Sequence, residues 1–482
     1  MMEQQQQEQQ EQQQQDRPQL SHIAQQFDDC ADFKHQTYAQ LNVDLLYFDH
    51  MIDGQKLDRE ILGPLQSAPE DKLQDMLDRL SFARKSEDKQ IVEDILSGSV
   101  ALFHRDAVYS IDLYSPKGRP ISQSETETTI TGPHEAFSEP AGETLSLIRR
   151  RVRSSHLKCL RFRVGEITKT DVYLLYVADI ANMDNVDELK RRIQGVEIDA
   201  VHDTNMLVQL IDDRPASLFP QFFTTERPDA IASKLVAGRI VGIMDGSPYA
   251  FSAPTSFFEF FTSSDDYYQR WSLGTATRIL RFISFIITIL FTCFYVSVTT
   301  FHYEMIPQNM LLTLSESRSR VPFPPVYEAL FMEAVIEFLR EAGARLPTKI
   351  GQTIGIVGGI VIGQAAVQAG FTSNILIIVV ASSAIASFVM PSYIMSASIR
   401  LIRFGLIILA GIWGNLGITI GIAYLIIHLS HLTSLNSSYM TPIAPHKPGD
   451  WLDVFIRAPF KLLKKRPTQA RTPNPVHVRT KK

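Results

Sequence analysis

FISFIITILFTCFYVSVTTF, residues Phe282–Phe301, runs twenty positions without a charge. A bilayer core about 30 Å thick is crossed by roughly 20 apolar helical residues. Three more apolar runs follow: IGIVGGIVIGQAAVQAG (Ile354–Gly370), NILIIVVASSAIASFVM (Asn374–Met390) and FGLIILAGIWGNLGITIGIAYLIIH (Phe404–His428). We expect four spans, about 282–301, 354–370, 374–394 and 404–428, with the middle two forming a helical hairpin across Phe371–Ser373. On this reading the chain is an integral membrane protein. Its mean hydropathy is near zero only because the apolar mass is concentrated late in the 482 residues.

Working outward, residues 1–26 are Gln-rich and of low complexity, a composition that cannot bury a core. Residues 27–97 and 98–256 read as two small α/β subdomains divided near Ser97-Gly98. In the first, LNVDLLYFDHMID (Leu41–Asp53) carries a strand, and Pro69–Ala83 has Leu73, Met76, Leu77 and Leu80 at helical spacing. In the second, Ser99–Ser115 reads as a hairpin across His104–Asp106, and Asp171–Asp179 reads as a buried strand. Glu143–Val152, Asn185–Val196 and Met206–Asp213 read as helices, and Arg239–Pro254 as a hairpin turning at Asp245-Gly246. Residues 257–445 form the expected membrane domain and 446–482 a basic tail.

Arg270, Arg278 and Arg281 just before the first span put the N-terminal region on the cytoplasmic side. The tail, with ten Lys or Arg against two Asp, belongs there too. Asp450–Lys465 (DWLDVFIRAPFKLLKK) fits a helix lying on an anionic membrane face, interrupted at Pro459. Two cytoplasmic ends require an even number of crossings. Pro324–Gly343 is apolar but carries Glu328, Glu333, Glu337 and Glu341, so it is expected as an amphipathic, partly embedded helix. A four-span count leaves Arg400 and Arg403 outside; a fifth span through the Glu-bearing helix would bring them inside but export the tail.

A net charge of −5 gives no reason to expect nucleic-acid binding. Cys30, Cys159 and Cys293 are odd in number and far apart, which argues against a disulfide framework or a zinc site. The start of the chain lacks the charged, apolar and cleavage regions of a removable signal. There is no G-x-S-x-G elbow, Walker loop or H-E-x-x-H motif, so we expect no enzyme, catalytic residue, cofactor or metal.

The glycines at 351–363 lie in an apolar run with no strand before them and no lysine after. Gly359 and Gly363 form a G-x-x-x-G pair, as do Gly417 and Gly421, and we read both as helix-packing faces. Polar residues at membrane depth are a sharper signal, because lipid offers them no partner. Gln364 and Gln368 share a helical face, and Asn374, Ser382, Ser383, Ser387 and Asn415 add to them. They suit either a hydrated path or subunit contact, or simple interhelical hydrogen bonding. The glutamates suit either carboxylates drawing cations to a pore mouth or a solvated face with Glu337–Arg340 and Glu341–Arg345 paired at helical spacing. His428 and His431 mark an interface, since two imidazoles alone are an incomplete metal site.

Several motifs occur together and in order: MDGSP (Met244–Pro248), DDYYQRW (Asp265–Trp271), FHYEMIP (Phe301–Pro307), Val321–Pro347, IGQTIGIVGGIVIGQAAVQAG (Ile350–Gly370) and ASFVMPSY (Ala386–Tyr393), with LIRRRV (Leu147–Val152) upstream. Over about Phe27–Lys447 the chain resembles the A-subunit (GerA/KA-type) family of bacterial spore germinant receptors. The resemblance implies residence in the inner membrane of the dormant spore. It implies a transporter-like B subunit that binds the nutrient, a C-subunit lipoprotein, and a homo-oligomeric, possibly pentameric, cation channel triggering germination. Under it Gln364, Gln368, Glu333 and Glu337 become candidate path-lining or gating residues. One departure is TGPHEAF (Thr131–Phe137), where the family carries a more basic loop with an extra glycine; this puts that loop's part in subdomain docking in doubt. The alternatives are a scaffold that clusters receptors or a relative attached to the spore's dipicolinic-acid channel. A secondary transporter ranks behind these, because the four runs show no internal repeat.

Overall fold

The computed structural model describes residues 18–67, 77, 82–105, 107–115, 124, 127, 129–346, 359 and 361–477. The Gln-rich start falls mostly outside these, as do nearly all of the expected 69–83 helix and residues 354–358 and 360 of the expected 354–370 span.

The N-terminal region is built on two five-stranded sheets, both antiparallel throughout. The first runs β1 (Phe33–Tyr38), β2 (Val43–Phe48), β4 (Ser99–His104), β5 (Ala107–Asp112), β3 (Ala83–Lys85). Alternation along β2 and β4 sends Val43, Leu45, Val100 and Leu102 to one face, where Leu57, Ile61 and Leu65 cover them. Leu46, Phe48, Ala101 and Phe103 point to the other, under α1 (Leu20–Gln26) and α2 (Asp88–Leu96). The expected division at Ser97-Gly98 therefore cuts through this sheet. β4 is buried at all six positions, so it has to be a central strand. Gly98, at φ +96°, is the turn that feeds it from α2, and a Cβ there would sit 2.6 Å from the Tyr114 ring. The chain leaves the first sheet only after Asp112.

The second sheet runs β6 (Leu157–Val164), β7 (Thr170–Val177), β9 (Ile240–Met244), β10 (Ala250–Ala253), β8 (Phe223–Thr225). Val172, Leu174 and Tyr176 face α4 (Met183–Gln194) and α5 (Thr204–Ile211); Leu175 and Val177 face α3 (Ala141–Arg151) and α6 (Pro228–Val236). Helices on both faces explain why β7 reads as a continuous apolar run. The Asn182 side chain caps α4 by accepting from the Asp184 amide at 2.9 Å, and the helix ends at Gly195. The two sheets are joined by a backbone β-bridge at Cys30 and Cys159, whose thiols are free, and by a buried pair in which Arg149 Nε lies 2.6 Å from Asp32.

The helical part opens with α7 (Trp271–Thr300), continues through α8 (Gln308–Arg318), α9 (Pro325–Arg345), α10 (Asn374–Phe388), α11 (Tyr393–Trp413) and α12 (Asn415–His431). α7 packs along α10 and α11. Helices α7 and α11 are long and apolar enough to cross a membrane; α10 and α12 are apolar but shorter. The run Phe404–His428, expected as one span, is instead the end of α11 and a separate helix. Gly414 (φ +61°) breaks it, in a conformation a helix interior cannot contain. The span expected over 374–394 likewise stops at Phe388, because Pro391 cannot continue a helix and Ser392 caps the next one. Arg400 and Arg403 thus lie inside α11 rather than in front of a span.

The α/β part grips the helices at several points. Phe261 stacks on Phe282 of α7 with ring centroids 4.8 Å apart. The segment Arg214–Gln221 reaches both α11 and α12: Ser398 donates to the Leu218 carbonyl, and Ser217 Oγ lies 3.0 Å from His428 Nε2. After α12 the chain returns to the α/β part. Ser434 donates to Gln221 O at 2.6 Å, and Leu435 fills the core of the second sheet beside Val172 and Phe222. The basic tail follows the same body, with Arg466 Nε donating to Val236 O at 2.9 Å. The long helix expected over Asp450–Lys465 is only one turn, Trp451–Val454, and turns follow it.

Candidate functional site: a buried charge cluster between two helices

Pro325 at the first position of α9 starts a 21-residue helix whose apolar residues carry it into the bundle. Glu333 and Glu337, four apart, share one face of it. Arg400 and Arg403, three apart on α11, share the face opposite. The facing pairs meet. Arg403 lies 2.5 Å from Glu333, with both side chains fully buried, and 3.5 Å from Glu337. Arg400 lies 3.3 Å from Glu337, and Arg340, one turn further along α9, lies 3.0 Å from it.

Hydroxyls from two neighbouring helices complete the cluster. Thr292 of α7 donates to Glu333 at 2.8 Å. Arg403 donates to Ser383 at 2.8 Å and Arg340 to Ser387 at 2.9 Å, both on α10, and the Arg340 guanidinium sits 4.6 Å over the Phe388 ring. Four helices therefore converge on three guanidinium groups and two carboxylates. The Nε atoms of Arg340 and Arg403 are buried without a hydrogen-bond partner among the described residues. The cluster carries one positive charge more than it neutralises, which opposes the entry of a cation while the pairs are closed.

Glu328 stands apart from this group. It accepts from the Ser373 amide at 3.1 Å and lies 3.4 Å from Arg318, tying α8 and the start of α10 to α9. Glu341 pairs with Arg345 at 2.5 Å on an exposed face. Gln364 and Gln368 are exposed and hydrogen-bond to nothing among the described residues; they are not brought to the cluster. Gly417 and Gly421 pack closely: a Cβ on Gly417 would lie 2.1 Å from the Leu409 carbonyl oxygen, and one on Gly421 would lie 2.4 Å from Leu406. A Cβ on Gly359 or Gly363 would meet nothing within 4 Å. Asn415 accepts from Ser297 at 2.8 Å. Arg400 and Arg403 are the residues that sequence reasoning missed as site members. Two arginines in an apolar run facing glutamates in another was the available signal.

A folded α/β body continues into two apolar helices of membrane-crossing length that enclose a buried charge cluster, an arrangement that suggests association with a membrane. The chain belongs to the Bacillus/Clostridium GerA spore germination protein family, whose model matches residues 21–469. It is 41% identical over 432 residues to spore germination protein GerQA of Bacillus cereus, covering 88% of this chain and 87% of that one. It is 37% identical to the uncharacterized membrane protein YfkQ of Bacillus subtilis, covering 83% and 78%. Among solved structures, it matches the N-terminal domain of the A subunit of the Bacillus megaterium spore germinant receptor GerK3. That match is at 23% identity and a TM-score of 0.37, over 49% of this chain and 94% of that one.

Proposed function

We propose that this chain is the membrane subunit of a nutrient receptor that starts spore germination, and that it forms or gates a cation path in the inner spore membrane. Membership of the germination family supports the receptor role. The observation that carries the gating role is the fully buried Glu333–Arg403 pair, because ionised groups at membrane depth mark ion pathways and switching elements. In this reading the Glu333/Glu337–Arg400/Arg403 contacts hold α9 against α11 in the resting state. Nutrient bound by a B-type partner subunit shifts the equilibrium toward an arrangement in which they part. Ser398, which bonds Leu218 of the α/β body, lies two residues before Arg400, so a displacement of that body acts directly on the cluster. A C-type lipoprotein and further copies of this chain complete the assembly, with the α/β body cytoplasmic. Gln364 and Gln368, exposed on their helix, are available to line the path between copies.

Potassium release from purified dormant spores given nutrient tests this, comparing intact protein with Glu337→Gln and Gln364→Leu at equal receptor levels in the membrane. We expect Glu337→Gln, which loosens Arg400 and Arg340, to release potassium faster or without nutrient, and Gln364→Leu to slow release. Unchanged release in both variants would overturn the gating role and leave the subunit as a scaffold that clusters receptors.

A further inference from the structure

The stretch Trp451–Lys465 is fixed beside the start of α7. Thr275 donates to Arg457 O at 3.2 Å, Tyr267 donates to Asp453 at 2.7 Å, and the Phe455 ring lies 5.2 Å from that of Phe282, the first residue of the uncharged run. The backbone is thus held at the level where α7 passes from polar to apolar sequence. Yet much of its apolar surface is left uncovered: Trp451, Leu452, Ile456, Phe460 and Leu462 are 40, 40, 45, 59 and 58% exposed. Interleaved with them, Lys461, Lys464 and Lys465 are exposed and form no ion pair among the described residues. The one acid of the stretch, Asp453, is engaged with Tyr267, and Asp450 just before it with Thr468.

We propose that this surface docks on the headgroup layer of anionic phospholipids, with the aromatic and aliphatic side chains entering the acyl boundary and the three lysines meeting lipid phosphates. Two features select a lipid surface as the occupant. One is the continuity with the membrane entry of α7; the other is the alternation of bulky apolar and cationic residues, which is the composition of interfacial anchors. Pro459 and the turns around it do not spoil this function. A membrane-facing surface needs its side chains presented on one side, and packing on α7 does here what an amphipathic helix does elsewhere. The proposal rests on α7 and α11 lying in a bilayer.

The full chain has three tryptophans, Trp271, Trp413 and Trp451, which allows the two ideas to be read separately. One variant, Trp271→Phe/Trp413→Phe, keeps Trp451; another, Trp271→Phe/Trp451→Phe, keeps Trp413 at the end of α11. Each is reconstituted into bilayer discs of brominated phosphatidylcholine, with and without an equal share of phosphatidylglycerol. We expect Trp413 to be quenched in both. Trp451 should be quenched strongly only in the anionic discs, in a manner reversed by salt and by K461E/K464E/K465E. Loss of the three lysines alone shifts the docking equilibrium on the order of a hundredfold, and the introduced carboxylates add repulsion to that. Quenched Trp413 with unquenched Trp451 in anionic discs overturns the docking surface alone. Quenching of Trp451 that ignores lipid charge and salt overturns the anionic preference. Unquenched Trp413 overturns the bilayer placement, and the docking surface with it.

Discussion

Burying Glu333 and Arg403 without exposure takes two ions out of water, at a cost of several kcal/mol each that their 2.5 Å contact and the hydroxyls of Thr292 and Ser383 must offset. Such a pair is poor at adding net stability but punishes the loss of one member. Glu333→Ala alone should destabilise the purified full chain by about 3–5 kcal/mol, because Arg403 is left as a buried unpaired charge. Glu333→Met/Arg403→Met, which removes both charges, should destabilise less than Glu333→Ala. Thermal unfolding in detergent distinguishes the two, and equal losses would mean that the pair is not electrostatically coupled. The spacing of these residues along α9 and α11 was legible in the sequence; their meeting was not. Glu333 and Arg403 are seventy positions apart, and nothing local says which face of α9 turns toward α11.

At the scale of elements, the apolar runs announced helices correctly but not where they stop. Phe404–His428 looked continuous because Trp413, Gly414 and Asn415 are all tolerated in a membrane helix. The break depends on the φ of +61° at Gly414, which composition does not report. The sheet strands were easier: both faces of β4 and β7 are buried, so their apolar runs identify them. Their sheet membership was harder, since β4 pairs back with β2 across the whole α2 connection. The glycines give a direct contrast between packed and open faces. Gly417→Val must push against the Leu409 carbonyl 2.1 Å away and should lower the folded yield and the melting temperature markedly. A Cβ at Gly363 meets nothing within 4 Å, so Gly363→Val should not lower the melting temperature of the isolated chain. If crosslinking shows that Gly363→Val nevertheless loses assembly in the membrane, the open face is a contact between copies.

Across the whole molecule, the junction between the α/β body and the helices is guarded by Glu259, whose carboxylate sits 3.0 Å from Arg239 and also pairs with Lys234. Burial resists its ionisation, but the two cations outweigh burial and hold the carboxyl at about 2 instead of the usual 4.5. Burial pulls the Lys234 ammonium down as well, so Arg239 is the main counter-charge. Because the folded value is the lower one, the stabilisation is complete above about pH 4.5 and disappears as pH falls toward 2. Glu259→Gln should therefore cost about 3 kcal/mol at pH 7 and progressively less in acid, read as melting curves of the full chain at a series of pH values. A cost that does not vary with pH would assign Glu259 a packing role instead. The return of the chain after α12 has a further meaning for how the protein is made. Leu435 is a buried part of the second sheet's core and Ser434 bonds Gln221, yet more than two hundred residues separate them in order of synthesis. The α/β body is translated first, and a side chain that fills part of its interior follows only after α12. A chain cut before residue 435 lacks that side chain, so the core of the second sheet is filled only once the helices through α12 have been made.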